Sequence, residues 1–382
     1  MVPPPAGKTQ IPMTIPTLLM LPPRGGHSTA EMWMADARLA AARDLLARLK
    51  HVDQASPLYI LAADAEDRHL LRGDADILTP SGVDEFSFGR ELAERAPRSG
   101  MFAYFGGASA PLLTSEALRV IYQNMLDTQL PSALVNNKHS TDWMLLRDAS
   151  ILPSIAPSLP NDNALGWVLE YEAHQAVFGQ SACAATRCDL DTPADVCIAA
   201  VHPQAGEHLK AFLRGHPVDL MTRCEAVQEV LRTPASSLAL IGRTSAEAWQ
   251  RLVRETQIWV RVYAEERGMV ASGRLARGEV HSLLAASMDA MGMDAFLREL
   301  TCRVDAVLWD TRVWMAHHRS WPCDADRFAA DLGWIDEIKD ERLRQLTVAQ
   351  RASTVPILCG GHGVVAGGLY ALLEGAVHQP SR

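Results

Sequence analysis

The chain has 382 residues, 48% of them hydrophobic and 21% charged, which suffices for two ordinary cores and excludes a disordered or fibrous chain. Its formal net charge of −9 speaks against nucleic acid as the main partner, because binders of that polyanion neutralise phosphates with a basic face; small anionic ligands stay open. Seven scattered cysteines with no C-x-x-C pair signal neither a disulfide framework nor a zinc site, and reduced thiols in a cytoplasm fit them.

Residues 1–12, rich in proline and polar residues, read as a loose tail, and no secretory apolar segment flanked by Arg or Lys is present there. Thr17-Leu-Leu-Met-Leu21 reads as a buried strand stopped by Pro22-Pro23, and the Ala/Leu/Arg-rich run from Thr29 to Leu49 as an amphipathic helix. Pro57 to Ala62 and Met101 to Phe105 repeat the strand signal, Ser115 to Thr128 reads as a helix, and Ala133 to Val135 as a short strand. Short apolar runs without alternation, spaced by helices, are what strands buried on both faces of a mostly parallel sheet look like. The first part is therefore expected to be an α/β, Rossmann-like domain.

After Asp195 the pattern turns helical, through His208–Arg214, Val218–Arg232 and a long run from Ser245 to Val262, with strands at Ala306–Trp309 and Val355–Leu358. The predicted organisation is a tail over 1–12, a domain over 13–205 and a mainly helical α/β domain over 206–382, divided where His202-Pro-Gln-Ala-Gly and Arg214-Gly-His-Pro supply loop chemistry. The apolar stretch from Ile357 to Val377 reads as strand, loop and helix rather than a membrane span, given its glycines, His362 and Glu374.

Three segments carry a family likeness. Tyr104-Phe-Gly-Gly-Ala-Ser-Ala-Pro-Leu-Leu-Thr-Ser-Glu-Ala-Leu118 is similar to the strand, "G-D-x-P-L-L-T" loop and helix of the MobA-like nucleotidyltransferases. Phe86-Ser-Phe-Gly-Arg-Glu-Leu92 resembles the segment that introduces the acceptor half in some of them, and Asp189-Leu-Asp-Thr-Pro-Ala-Asp195 resembles their "(D/E)-I-D-T-P-E-D" turn. The resemblance spans roughly residues 15–200 and implies a GT-A type Rossmann-like fold. It also implies transfer of a nucleotidyl group from a nucleoside triphosphate to a small phosphorylated or hydroxylated metabolite, with Mg²⁺ as cofactor. Mg²⁺ favours one or two carboxylates plus phosphate oxygens and water, and the resemblance places Asp191 and Asp189 in that role. Read from the residues alone, the same turn is a helix entry with Asp191 or Thr192 as cap and Pro193 in the first helical position.

The departures are specific. Where the family carries a glycine-rich phosphate loop, this chain reads Leu21-Pro-Pro-Arg-Gly-Gly-His-Ser28. Proline has no N–H to offer a phosphate, which leaves Arg24, Gly25 and Gly26 to approach an anion. Gly106-Gly-Ala-Ser109 stands where a metal-binding Asp is expected, so Gly106, Gly107 and Ser109 are binding candidates, and Asp84, Asp142 or Asp162 are alternative carboxylates. Asn136-Asn137 follows a strand-like run, where open α/β sheets place ligands or where ordinary turns occur.

In the second half, Gly361, His362 and Gly363 lie in a glycine-rich loop between a strand and a helix. The loop reads either as an anion site or as close packing of a helix on a sheet. Its match to G-x-G-x-x-A does not extend to a dinucleotide fold, because too few residues follow. Asp310, Arg312 and His362 mark a further candidate site. A nucleotidyltransferase-like enzyme is the leading expectation; a degenerate nucleotide- or metabolite-binding regulatory protein, and an enzyme site in the second half, are the alternatives. Partners are expected to be small molecules, not nucleic acid or membrane, with homo-oligomers left open.

Overall fold

The computed structural model describes residues 13–73, 75–81 and 86–377; the expected tail and Asp84 lie outside them. The chain is mixed α/β and is organised around two sheets. The first has strands β1 (Thr17–Leu21), β2 (Leu58–Ala62), β3 (Asp76–Leu78), β4 (Phe102–Gly106), β5 (Ser132–Val135), β6 (Trp143–Leu146) and β7 (Ala176–Gly179) in the order β3-β2-β1-β4-β6-β5-β7. Every pairing is parallel except the two made by β6.

The unalternating strands are explained by cover on both faces. Leu19 and Leu21 join Ala103, Phe105 and Leu145 in one core, while Leu18 and Met20 join Phe102, Tyr104, Met144 and Leu146 in the other. Successive side chains of a strand point to opposite faces, so a strand with two apolar covers needs apolar residues throughout. The expected strands and helices of this half occur close to their predicted bounds, whereas β3, β6 and β7 are additions.

The second sheet consists of β8 (Ser237–Gly242), β9 (Trp259–Ala264), β10 (Ala306–Asp310) and β11 (Ile357–Gly360), all parallel, in the order β11-β10-β8-β9. This corrects the reading of Ser245–Val262 as one helix: the helix runs Ala246–Glu255 and the chain then enters β9. The segment Trp259-Val-Arg-Val-Tyr263 alternates with period two and has two β-branched residues, which favours a strand. β8 was also missed, although Leu-Ala-Leu-Ile is an apolar run of the buried-strand kind.

Helix Thr29–Leu49 serves both sheets. It opens on a capping box in which Ser28 and Glu31 bond reciprocally. Leu45, Leu46 and Leu49 pack into a core of the first sheet, whereas Ala30, Trp33, Met34 and Ala37 belong to the core that contains β8, β10 and β11. Asp44 of the same helix accepts the N–H groups of His208 and Leu209, both at 2.9 Å, and so caps helix Glu207–Gly215. Helix Pro193–Ala200 is buried at every residue within the second core. Among the described residues, no helix is long and apolar enough to cross a membrane.

Candidate functional site: a carboxylate-lined cleft

The connection from β1 runs to β2 on one side, and β4 lies on the other side of β1, so the sheet order reverses between β1 and β4. Open α/β sheets bind ligands in the crevice outside the carboxyl ends at such a point. A cavity of about 300 Å³ lies there. Its walls include the β1 exit (Leu21 to Arg24), the β4 exit (Gly106 to Ser109) and the segments carrying Asp142, Asp162, Asp189 and Asp191.

Those four carboxylates come from separate parts of the chain, and several resist ionisation. Enclosure in the cleft, with Asp162 and Asp191 nearby, holds the Asp142 carboxyl well above the usual range, even though Asn136 donates to it at 2.5 Å. Asp162 is pushed up to about 6 by enclosure, against the hydroxyl of buried Tyr104, which donates to it at 3.0 Å. Asp189 is raised well above its ordinary range by burial and then by Asp191, Asp142 and Asp195. Like charges held together in a poorly solvated cleft disfavour ionisation, and a cation placed among them reverses that preference.

The site's supports are specific. Arg38, on helix Thr29–Leu49, donates to the carbonyls of Leu190 (3.0 Å) and Asp191 (2.9 Å) and so pins the carboxylate turn to that helix. The Asn136 carbonyl oxygen accepts the N–H groups of Asp142 (2.9 Å) and Trp143 (3.3 Å), while Arg187 donates to the Asn136 backbone carbonyl. Thr192 is the cap of helix Pro193–Ala200 and bonds Asp195 through its N–H (2.9 Å) and hydroxyl (2.7 Å). Asp191 precedes the cap and is exposed to the cleft.

Of the residues singled out from the sequence, Arg24, Gly106, Gly107, Ser109, Asp189 and Asp191 line this cleft, together with Asp142 and Asp162. Gly25, Gly26, Asn136 and Asn137 are not among its lining. Gly26 sits against the Glu31 carboxylate, where an added Cβ would come within 2.2 Å of it. Asn136 is buried and spends its amide on the turn before β6, and Asn137 accepts the His139 N–H (3.1 Å) in that turn. Arg24 lines the wall, but its guanidinium meets Asp67 (2.6 Å), Asp36 (3.0 Å) and Glu66 (3.3 Å). Gly106 and Gly107 direct their N–H groups to the carbonyls of Asp142 (3.0 Å) and Met20 (2.8 Å), so neither is free to cradle a phosphate. Arg38, Tyr104 and Asp67 were not singled out, because nothing in local spacing marks a residue whose role is set by a distant segment.

Gly361, His362 and Gly363, at the end of β11, are not part of this cavity's lining. Here the packing alternative has direct support: a Cβ on Gly363 would lie 2.1 Å from the Asp195 carboxylate, and one on Gly367 would lie 1.9 Å from the Arg187 carbonyl. Arg312 is buried and held bidentately by Asp331 at 2.8 and 2.7 Å.

Among the described residues, Asp289 with His317 and His318 is the one group of three whose ligand atoms lie within 4.8 Å of one another, and no three of the cleft carboxylates come that close. Its donor set does not suit a metal. His317 Nδ1 accepts the Ser282 N–H (3.1 Å) and His318 Nδ1 faces the Arg342 guanidinium, which can only donate. Both neutral rings therefore carry their proton on Nε2, the atom turned toward Asp289. In the cleft the donors fit a hard cation better, since carboxylates that resist ionisation line a cavity and Mg²⁺ needs only one or two of them.

No protein-family model matches the chain, and no curated protein matches it. Among solved structures, it is similar to a cytidylyltransferase from Leptospira borgpetersenii, with 13% identity and a TM-score of 0.38, over 54% of this chain and 95% of that one. It is also similar to CMP:2-keto-3-deoxy-manno-octonic acid synthetase complexed with CTP, with 14% identity and a TM-score of 0.34, over 47% of this chain and 94% of that one. A third likeness is to 4-diphosphocytidyl-2C-methyl-D-erythritol synthase from Anaerococcus prevotii, with 10% identity and a TM-score of 0.33, over 49% of this chain and 94% of that one.

Proposed function

We propose that the cleft binds a nucleoside triphosphate with Mg²⁺ and transfers its nucleotidyl group to a small phosphorylated or hydroxylated metabolite. The observation that carries this reading is the convergence of Asp142, Asp162, Asp189 and Asp191 on one cavity at the β1–β4 reversal. Carboxylates that repel one another there favour a cation, and a triphosphate brings one with it. Asp191 and Asp189, with Asp142 in place of the carboxylate absent after β4, are the groups that would hold Mg²⁺. When bound, such an ion would supply charge neutralisation on the triphosphate. The chain's own contribution is positioning: Arg38 and Asn136 hold the two acidic turns, and Tyr104 orients Asp162. The narrower likeness to MobA-type enzymes belongs to this proposal and rests on the three sequence segments.

One observation favours a second reading, binding without transfer. Pro22 and Pro23 offer no amides, and Arg24 is surrounded by three carboxylates, so the wall opposite the acidic turns lacks a free phosphate clamp.

Thermal-shift measurements with each nucleoside triphosphate, with and without Mg²⁺, separate the readings when paired with a pyrophosphate-release assay. Transfer predicts a Mg²⁺-dependent rise in Tm with one triphosphate and pyrophosphate release that Asp191→Ala abolishes. Stabilisation without release favours the binding protein. No shift with any triphosphate would exclude both.

A further inference from the structure

We propose that the carboxyl edge of the second sheet, between β8 and β10, holds a separate site for the phosphate group of a small phosphorylated metabolite. The chain leaves β8 for β9 on one side and later returns to β10 on the other, so this sheet also reverses its order at β8–β10. Open α/β sheets bind ligands outside the strand ends at such a reversal.

The residues at that place carry anion chemistry. Gly242 has φ +105° and lies so close to Asp310 that an added Cβ would be 2.7 Å from the Asp310 Cβ. Arg243 follows and binds Asp310 through Nε (2.5 Å) and Nη2 (3.1 Å), which fixes the guanidinium fork while leaving Nη1 outside the pair. Thr244 is 3% exposed and its hydroxyl has no hydrogen-bond partner. A buried hydroxyl without a partner is costly, and a ligand oxygen there would relieve it. Exposed Arg267 donates one Nη1 hydrogen bond to the Thr244 carbonyl (3.0 Å), which ties it to the same loop.

The turn after β11 joins from the other side. Ser245 N–H bonds the Val365 carbonyl (3.1 Å) and the Thr311 hydroxyl bonds the Gly360 carbonyl (3.3 Å), holding the turn that begins with His362 against the β8 and β10 exits. Burial first, then Arg243 and Arg267, lower the proton affinity of His362, while Asp310 and Asp191 raise it. Both guanidinium groups therefore act on this imidazole. The acids of these loops are already engaged: Glu265 accepts from Ser282 (2.5 Å) and Leu283 (3.0 Å), Glu266 pairs with Arg274 (2.7 Å), and Asp310 is taken by Arg243. What is left over is positive and rich in donors, and guanidinium forks with a hydroxyl and an imidazole suit phosphate oxygens.

The test uses the full chain without nucleotide or Mg²⁺, titrated with inorganic phosphate and with glycerol 3-phosphate by calorimetry and ³¹P NMR. Wild type should bind, and Arg267→Ala and His362→Gln should each weaken binding about tenfold, a difference of about 1.4 kcal/mol. Asp142→Asn, in the first cleft and not among the groups acting on His362, should leave binding unchanged, so this site stands or falls apart from the nucleotidyl-transfer reading. Absence of binding to wild type would overturn the proposal, as would binding that Asp142→Asn weakens and the Arg267 and His362 variants do not.

Discussion

Gly107 stands where the family likeness leads one to expect an aspartate, and a side chain there would crowd the β1 exit. A Cβ there would lie 2.8 Å from Leu21 Cγ, so the leucine side chain would have to shift to admit a carboxylate. On the proposed function Asp142 takes that part; its carbonyl accepts the Gly106 N–H (3.0 Å) and Asn136 donates to its carboxylate, which lines the cleft. Asp142→Asn should therefore remove most of the Mg²⁺-dependent rise in Tm while raising Tm in the absence of metal at pH 8, because it deletes a crowded carboxylate. Thermal shift with and without Mg²⁺ reads both effects; an unchanged Mg²⁺ response would mean that the cation is held elsewhere. At this scale the sequence was a partial guide. It marked Asp189 and Asp191 through their turn, and it admitted Asp142 and Asp162 only as candidates, since their approach depends on sheet order.

Helix Pro193–Ala200 packs directly against the turn at the end of β11. Thr192, Pro193 and Asp195 form the helix entry that their spacing announces, with Pro193 in the first turn, where its missing N–H costs nothing. The reason for glycine on the partner turn appears only in three dimensions. Gly363 rests on the Asp195 carboxylate, Gly360 rests on Ala194, and Gly367 rests on the Arg187 carbonyl. Gly363→Ala should destabilise the protein by about 1–3 kcal/mol through overpacking, measured by urea unfolding. A change within about 0.5 kcal/mol would show that the turn moves freely and is not packed tightly against the helix. The strand errors belong to this scale too. β9 carried a two-residue alternation that a helical run beside it masked, and β6 is only four residues long.

For the whole molecule the crowded acids predict how stability varies with pH. Asp162 is raised to about 6 and Asp195 to about 7, and Asp142 and Asp189 are raised as well. A carboxyl with a raised folded-state value holds its proton in the native chain at pH values where the unfolded chain, with an ordinary value of about 4, has lost it. These groups contribute their full stability below about pH 4, and the contribution is lost as pH rises through 6 to 7. Metal-free stability should accordingly fall between pH 5 and 8, and Mg²⁺ should restore part of it at the alkaline end. Urea unfolding across that range checks both points; stability that rises from pH 5 to 8 without metal would contradict the crowding.

The sequence by itself determined the α/β class, the buried first strand, the long helix from Thr29 and the capped entry at Thr192–Asp195. These follow from apolar runs, periodicity and capping chemistry, which act over a few neighbouring residues. Only the tertiary structure decided that Asp142, Asp162, Asp189 and Asp191 face one cavity, that Arg24 is spent on Asp36, Glu66 and Asp67, and that the second sheet reverses its order at Arg243 and Asp310. The physical reason is that charge and burial act through space. Strand order brings together residues that are far apart along the chain, and repulsion, desolvation and hydrogen bonding among them depend on that meeting rather than on spacing in the sequence.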